Sequence, residues 1–457
     1  LKPAWLNHRV AESLESLRFD FMFAFASVRE PPRTLLMVVS SPLQSSVTNK
    51  IGKSFCEAYA GAFTRDKIKY IDVSDGHLPP ITSTCVRAKF MAYSGGDKCS
   101  SEEWQKTLNL IETFKSADKL VILAPMWNTN IPAELKLYFD HIVQPHQTFN
   151  PDTAEGLMKG KPVLLVRASR DIPIGSANDS GTPYMLGILG FLGFTDVRRI
   201  DYTGSSSSQL LRDKCVEAER MAHQFVFKDS ATLPVLLSRL PTLEMDGRLK
   251  IKRHSKIFCV TSSPMASRST SKRVVSDFLQ EVEDQVEGVE LTVLDLGGMM
   301  SGDNHLRPFT AADVNAKLGF ADPQVQHSAN EELKYSMELI RKFRDADVYV
   351  FAVPMWNLGI PYILKRWIDH VVQPNETFDP ILQRGLLTGR PAFCVASSGN
   401  GLLGTSLDHL SPMMKQFFQL VGIGPVAYTY LNGTSGERAA ELVSEATRNM
   451  KRQAGMS

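Results

Sequence analysis

The chain repeats itself. Pro125-Met126-Trp127-Asn128-Thr129-Asn130-Ile131-Pro132 returns as Pro354-Met355-Trp356-Asn357-Leu358-Gly359-Ile360-Pro361, an offset of 229 residues. The same register carries Asp140-His141 onto Asp369-His370, Val143-Gln144-Pro145 onto Val372-Gln373-Pro374, and Thr148-Phe149 onto Thr377-Phe378. It also carries Gly156, Gly160 and Pro162 onto Gly385, Gly389 and Pro391, and more than half of the positions from Pro125 to Pro162 match their counterparts. An agreement of that length marks a duplicated domain, so whatever fold one half adopts the other must adopt too. With 457 residues, two domains of about 200 residues each are expected. The divisions expected are an N-terminal arm over 1–32, a first domain over 33–227, a linker over 228–254 and a second domain over 255–457.

Each copy alternates strand and helix patterns. Strands are expected at Leu35–Val39, Ile68–Val73, Leu120–Leu123, Val163–Val166 and Val197–Tyr202 in the first copy. In the second they are expected at Ile257–Val260, Val289–Leu294, Val348–Val353, Ala392–Ala396 and Val426–Leu431. Unbroken Val/Ile/Leu runs, as opposed to alternation, fit strands buried on both faces of a parallel sheet. Five such strands separated by helices give an α/β doubly wound sandwich, and ligands then belong at the loops following the strands. Helices are expected from about Asn49 to Phe63, from about Lys272, and over Glu437–Arg452. Long polar inserts follow the second strand of each copy, Ser74–Ser101 and Gly297–Ser328, and loops of that length in compact domains are usually functional or partner-facing.

Composition removes several classes. With 51 Lys+Arg against 49 Asp+Glu, the formal charge is +2, too even for a general nucleic-acid binder. Six cysteines are scattered without paired spacing, which gives neither a disulfide framework nor a metal site and suits a reducing compartment. No run of about 18 apolar residues exists, so no transmembrane helix is expected, and a cytoplasmic or organelle-matrix location (mitochondrial or plastid) is expected over secretion. In the arm, Phe19, Phe21, Phe23 and Phe25 alternate, the period of one face of an extended strand. That pattern fits an arm docking on the protein or a partner, or the remainder of an organelle-targeting sequence.

Three turns carry the chemistry. After the first strand of the second copy comes Thr261-Ser262-Ser263-Pro264-Met265-Ala266-Ser267-Arg268-Ser269-Thr270-Ser271, and in the first copy Ser40-Ser41-Pro42-Leu43-Gln44-Ser45-Ser46-Val47-Thr48-Asn49. Hydroxyls running into a helix start offer O–H donors, unpaired backbone N–H groups and the positive end of the helix dipole, which suits a phosphate monoester. No GxxxxGK[ST] is present, and helix capping alone is the structural alternative. The Pro-Met-Trp-Asn turn ending the third strand offers amides and an aromatic wall for a flat heteroaromatic ring; a repeated packing turn is its alternative. Ser397-Ser398-Gly399-Asn400-Gly401 follows the fourth strand, where glycine admits close backbone approach to a ring edge; the first copy has Ser169-Arg170-Asp171-Ile172.

These loops resemble those of the flavodoxin-like FMN-dependent NAD(P)H azoreductases and quinone reductases, over about Arg33–Phe227 and Ser255–Ser457. Pro-Met-Trp-Asn is similar to that family's Pro-Met-Tyr-Asn, and the second serine loop keeps its spacing. The resemblance implies two tandem flavodoxin-like sheets with strand order 2-1-3-4-5, paired as a pseudo-dimer. It implies FMN phosphate on Ser263, Ser269 and Ser271, the ring against Pro354, Met355, Trp356 and Asn357, and the pyrimidine edge at Ser397 and Gly399. The weaker first-copy equivalents are Ser41, Ser46, Thr48, Pro125, Met126, Trp127, Asn128 and Ser169. NAD(P)H would be the co-substrate and a quinone or azo compound the acceptor, with no catalytic side chain because the flavin carries the chemistry. The first copy's serine loop is one residue shorter and its glycine pair is replaced by Asp171-Ile172, so weak FMN binding or none is expected there. His141 and His370 read as exposed helix residues serving an interface or a cap. A catalytically reduced scaffold in a larger assembly, using the arm and the inserts as contact surfaces, is the competing reading.

Overall fold

The computed structural model describes residues 31–93, 101–204, 208–226, 249–265, 268–300, 305–319 and 333–456. The arm expected over 1–32 lies outside these but for its last two residues, and the linker expected over 228–254 but for 249–254.

All ten expected strands form, with ends shifted by a few residues. The first sheet comprises β1 (Thr34–Val39), β2 (Lys67–Asp72), β3 (Lys119–Pro125), β4 (Val163–Ser169) and β5 (Val197–Thr203), all parallel in the order β2-β1-β3-β4-β5. The second holds β6 (Lys256–Thr261), β7 (Glu290–Asp295), β8 (Val348–Pro354), then, after the two-residue strands β9 (Phe378–Asp379) and β10 (Arg384–Gly385), β11 (Ala392–Ser398) and β12 (Val426–Asn432). Its order, β7-β6-β8-β11-β12, is the same 2-1-3-4-5 winding. Every residue of β3 and β11 is buried, whereas no residue of β2 or β7, at the edges, is fully buried. That is the burial a helix-covered parallel sheet imposes.

The helices are α1 (Val47–Ala62), α2 (Ser83–Tyr93), α3 (Glu102–Ser116), α4 (Ala133–Ile142), α5 (Gly181–Phe191), α6 (Gln209–His223), α7 (Thr270–Gln285), α8 (Ala311–Gly319), α9 (Lys334–Arg344), α10 (Tyr362–Val371), α11 (Leu410–Val421) and α12 (Ala439–Gln453). Two of them, α2 and α8, occupy the expected polar inserts. Among the described residues no helix is long and apolar enough to cross a membrane, and no cluster of His, Cys, Asp and Glu could hold a metal ion.

The two halves meet through α4 and α10, repeat equivalents whose residues are all buried. Each helix begins after a proline, Pro132 or Pro361, which has no side chain to cap it. The cap comes from the other half. Asp369 Oδ2 accepts the Ala133 amide at 3.2 Å, and Asp140 Oδ2 accepts the Tyr362 amide at 3.1 Å. A carboxylate at a helix start satisfies an orphan N–H and favours the dipole. The exchange is reciprocal, which makes the chain a pseudo-dimer with a pseudo-twofold relation. Lys136 and Lys365 neutralise these carboxylates from within their own helices. An ion pair without a repeat counterpart departs from the symmetry: Arg366 donates two bonds to Glu134, at 2.9 and 2.8 Å.

His141 and His370 are not exposed; they are 1% and 0% accessible. Each Nε2 faces a carbonyl oxygen, Pro79 at 2.7 Å or Arg307 at 3.0 Å, and so must carry the proton. Each Nδ1 meets a hydroxyl, Thr107 at 2.9 Å or Ser336 at 2.7 Å. The imidazoles therefore pin the inserts onto α4 and α10. Burial pushes His370 down to about 4, and it does the same to His409 at the start of α11. Above pH 6.5 both are neutral whether folded or not. Below it the unfolded chain takes protons the folded one refuses, so stability is lost as pH falls from about 6.5 to about 4. Between pH 7 and pH 5 the loss should be roughly 2 kcal/mol for each imidazole. Urea midpoints that stay flat across that interval would contradict this.

Candidate functional site

The serine loop of the second copy separates into two kinds of hydroxyl. Thr261 donates to Asp295 Oδ1 at 2.7 Å and Ser262 to the Ala352 carbonyl at 3.2 Å, so both tie the loop to the sheet. Ser263 and Ser269 do the opposite. Ser263 Oγ accepts the Met265 amide at 3.2 Å, and Ser269 Oγ, the N-cap of α7, accepts the Lys272 amide at 3.3 Å. Their own hydrogens are not spent in those contacts, because a hydroxyl donates and accepts independently. Ser271 Oγ lies 3.4 Å from Ser269 Oγ. The sequence places these three, and the fold brings Ser269 and Ser271 side by side.

The surroundings favour an anion. The first turn of α7 holds no acidic residue, and the Asp295 carboxylate beside the loop is taken up by Thr261 Oγ1 at 2.7 Å and Lys272 Nζ at 2.5 Å. A β-carbon on Gly297 would fall 1.9 Å from the Ser263 carbonyl, so the loop is pressed against the end of β7 at a point only glycine allows. Residues 266 and 267 lie outside the described residues.

The Pro-Met-Trp-Asn turn closes β8 beside β11. Pro354 is in register with Ser397, and the Met355 amide donates to the Ser397 carbonyl at 2.7 Å. Trp356 and Gly359 exchange backbone hydrogen bonds of 2.8 and 3.0 Å. Asn357 and Leu358 inside that turn have φ of 45° and 67°, the left-handed region that side chains disfavour. Ser263, Pro354 and Ser397 all stand at carboxyl ends of adjacent strands, on the edge where open α/β sheets bind ligands.

A family model described as a flavodoxin-like fold matches residues 33–224 and 255–454. The chain belongs to that family. An FMN-dependent NADH:quinone oxidoreductase of Nitratidesulfovibrio vulgaris strain DP4 is 35% identical over 212 residues, covering 42% of this chain and 99% of the relative. An FMN-dependent NADH:quinone oxidoreductase 2 of Pseudomonas putida is 33% identical over 198 residues, covering 42% of this chain and 96% of the relative. Among solved structures, a Bacillus anthracis FMN-dependent NADH-azoreductase in complex with FMN aligns at 28% identity and a TM-score of 0.38, covering 42% of this chain and 98% of that one. Each of these flavodoxin-like relatives aligns to less than half of this chain.

The first flavodoxin-like copy is built alike but furnished differently. Ser40 donates to the Leu123 carbonyl at 2.6 Å, Ser46 caps α1 through the Asn49 amide at 3.2 Å, and Thr48 lies 3.2 Å from Ser46. These match Ser262, Ser269 and Ser271, while Ser41 is buried beside them. Asn49 stands in the place of Lys272 and donates to the Leu43 carbonyl at 3.0 Å. In the third loop the sheet register corrects the expected pairing. Pro125 is in register with Ala168, so Ala168 matches Ser397 and Ser169 matches Ser398. Arg170 then matches Gly399, Asp171 matches Asn400 and Ile172 matches Gly401. The substituted charge at the close-approach position is cationic, and Asp171 is exposed beyond it.

The sequence did not disclose the side chains that bracket both asparagines. Asn357 Nδ2 donates to Asp140 at 2.8 Å and Asn128 Nδ2 to Asp369 at 2.7 Å, each across the domain interface. Thus Asn128 and Asn357 spend their side chains on the opposite half, and only their backbone is left to face a ring. The conserved register of Asp140 and Asp369 was visible in the repeat; their partners, 217 and 241 residues away, were not. Three of the described cysteines are held as thiols: burial pushes Cys56 up to about 11 and Cys259 and Cys394 to about 12.

Proposed function

We propose that the chain is an FMN-dependent NAD(P)H:quinone oxidoreductase whose principal flavin site is the second copy. The observation that carries this is the hydroxyl group of three, Ser263, Ser269 and Ser271, two of which accept from local backbone and keep O–H donors at a helix start free of acidic residues. That donor set fits a dianionic phosphate. The quinone reductases of N. vulgaris and P. putida, each matched over at least 96% of its length, support the same cofactor.

FMN, when bound, would supply the hydride-accepting and hydride-donating centre. The chain's own residues then hold and orient. Lys272, paired with Asp295, offsets that carboxylate's charge at the phosphate end. Pro354, Met355 and Trp356 wall the ring, the Asn357 backbone extends that wall, and Ser397 with Gly399 lines its edge. Neutral, doubly bonded His141 and His370 are structural and do not transfer protons. A quinone is the acceptor proposed first, and an azo compound the alternative for the same two-electron chemistry.

Lys272, Ser397 and Gly399 all lack counterparts of the same chemistry in the first copy, where Asn49, Ala168 and Arg170 stand. The scaffold reading therefore applies to that half, which completes the interface and binds flavin weakly or not at all. Flavin extracted from purified protein should come to about one FMN per chain, a single high-affinity site in the terms of mass action. Two tightly held equivalents would remove the asymmetry, and none after incubation with FMN would remove the flavin reading.

A further inference from the structure

We propose that Lys89 and Lys317 are exchanged positioning residues: each half sends a lysine from its insert helix across the interface to lock the asparagine of the other half's Pro-Met-Trp-Asn turn. Lys89 on α2 donates from Nζ to Asn357 Oδ1 at 3.0 Å and to the Val143 carbonyl at 2.9 Å. Lys317 on α8 donates from Nζ to Asn128 Oδ1 at 3.3 Å. Each asparagine amide is thereby gripped at both ends, the NH₂ by a carboxylate and the oxygen by an ammonium, all supplied by the opposite half. The amide has only one orientation that satisfies both, because an ammonium offers no acceptor and a carboxylate no donor.

The turns need such a grip. Asn357 and Leu358, like Asn128 and Thr129, sit in left-handed backbone at two successive non-glycine positions, a strain that persists only where surroundings over-determine it. An apolar side chain would fill the space beneath the turn as well as a lysine stem does. A buried ammonium is retained where its hydrogen bonds are needed. Burial lowers both lysines to about 8, with Asp140 and Lys136 facing Lys89, and Asp369 and Lys365 facing Lys317. Lys89 also stands 5.5 Å from the centre of the Trp356 ring, so the wall of the proposed ring pocket in the second copy is held from the first.

Hydrogen exchange on the full chain, with no ligand added, reads this directly. In Lys89→Met the amides of Trp356 and Gly359 should exchange about tenfold faster, with residues 125–132 unchanged. In Lys317→Met the acceleration should fall on Trp127 and Asn130 and spare 354–361. Lys89→Gln, neutral and shorter but still an N–H donor, should lie between wild type and Lys89→Met on the same turn, and it serves where methionine prevents folding. A second readout rests on the flavin reading: Lys89→Met should weaken FMN binding, and Lys317→Met should leave the principal site within about twofold. Crossed exchange in a protein that takes up no flavin keeps the positioning role and removes the flavin reading. Loosening of the substituted half's own turn, of both turns equally, or of neither overturns the proposal.

Discussion

Replacing Ser269 and Ser271 together by alanine should lower FMN affinity at least a hundredfold. A hydroxyl donating to a phosphate oxygen makes a charge-assisted bond, and two such losses amount to about 3 kcal/mol or more. The two positions act differently, which lets the loss be assigned. Ser269 also caps α7 through the Lys272 amide, so Ser269→Ala alone carries a stability loss of about 1 kcal/mol with its effect on flavin. Ser271 is fully buried, and among the described residues its hydroxyl lies beside that of Ser269. Ser271→Ala should therefore weaken flavin binding while leaving the urea midpoint nearly unmoved. Fluorescence titration of the apoprotein measures the first quantity and denaturation the second. If the double variant holds FMN as tightly as wild type, the phosphate lies elsewhere.

The ease with which that loop was found, and the difficulty of finding what supports it, have one cause. Strand identity is written locally: unbroken apolar runs such as Val163–Val166 and Val348–Val353 leave little choice but a buried parallel strand. The hydroxyl loop is equally local, eleven residues long with its helix start inside it. Lys89 and Lys317 have no local signature. They lie in stretches polar enough to read as surface loops, and their role exists only because α2 and α8 fold against the other half. His141 and His370 failed for the same reason. A histidine near the end of a short helix looks exposed until the partner half and its own insert close over it. Duplication shows which residues recur, but it does not show that a recurrent residue serves the other copy.

Glu134→Ala should destabilise the chain by about 3–5 kcal/mol, the largest single effect expected at the interface. The Glu134 carboxylate takes both forks of Arg366, and both side chains are 6% accessible. Burial pushes the Glu134 carboxyl up while the guanidinium beside it pulls it back, so the pair persists only while both members are present. Removing the acid leaves a buried guanidinium whose remaining bond goes to the Leu306 carbonyl at 3.0 Å, and an uncompensated buried charge is what makes breaking such a pair expensive. The repeat supplies its own control. The position equivalent to Glu134 is Ile363, and the position equivalent to Arg366 is Leu137. Joining Glu134→Ile to Arg366→Leu gives each half the residue its twin already carries, and replacing a buried pair by apolar side chains is often close to neutral. Most of the loss seen in Glu134→Ala should then return in the double variant, as a lower urea concentration at midpoint for the single substitution and a near-native one for the pair. A double variant as unstable as the single would mean that the ion pair itself, and not the stranded charge, holds the halves together; this asymmetric contact would then be an element that fixes their register.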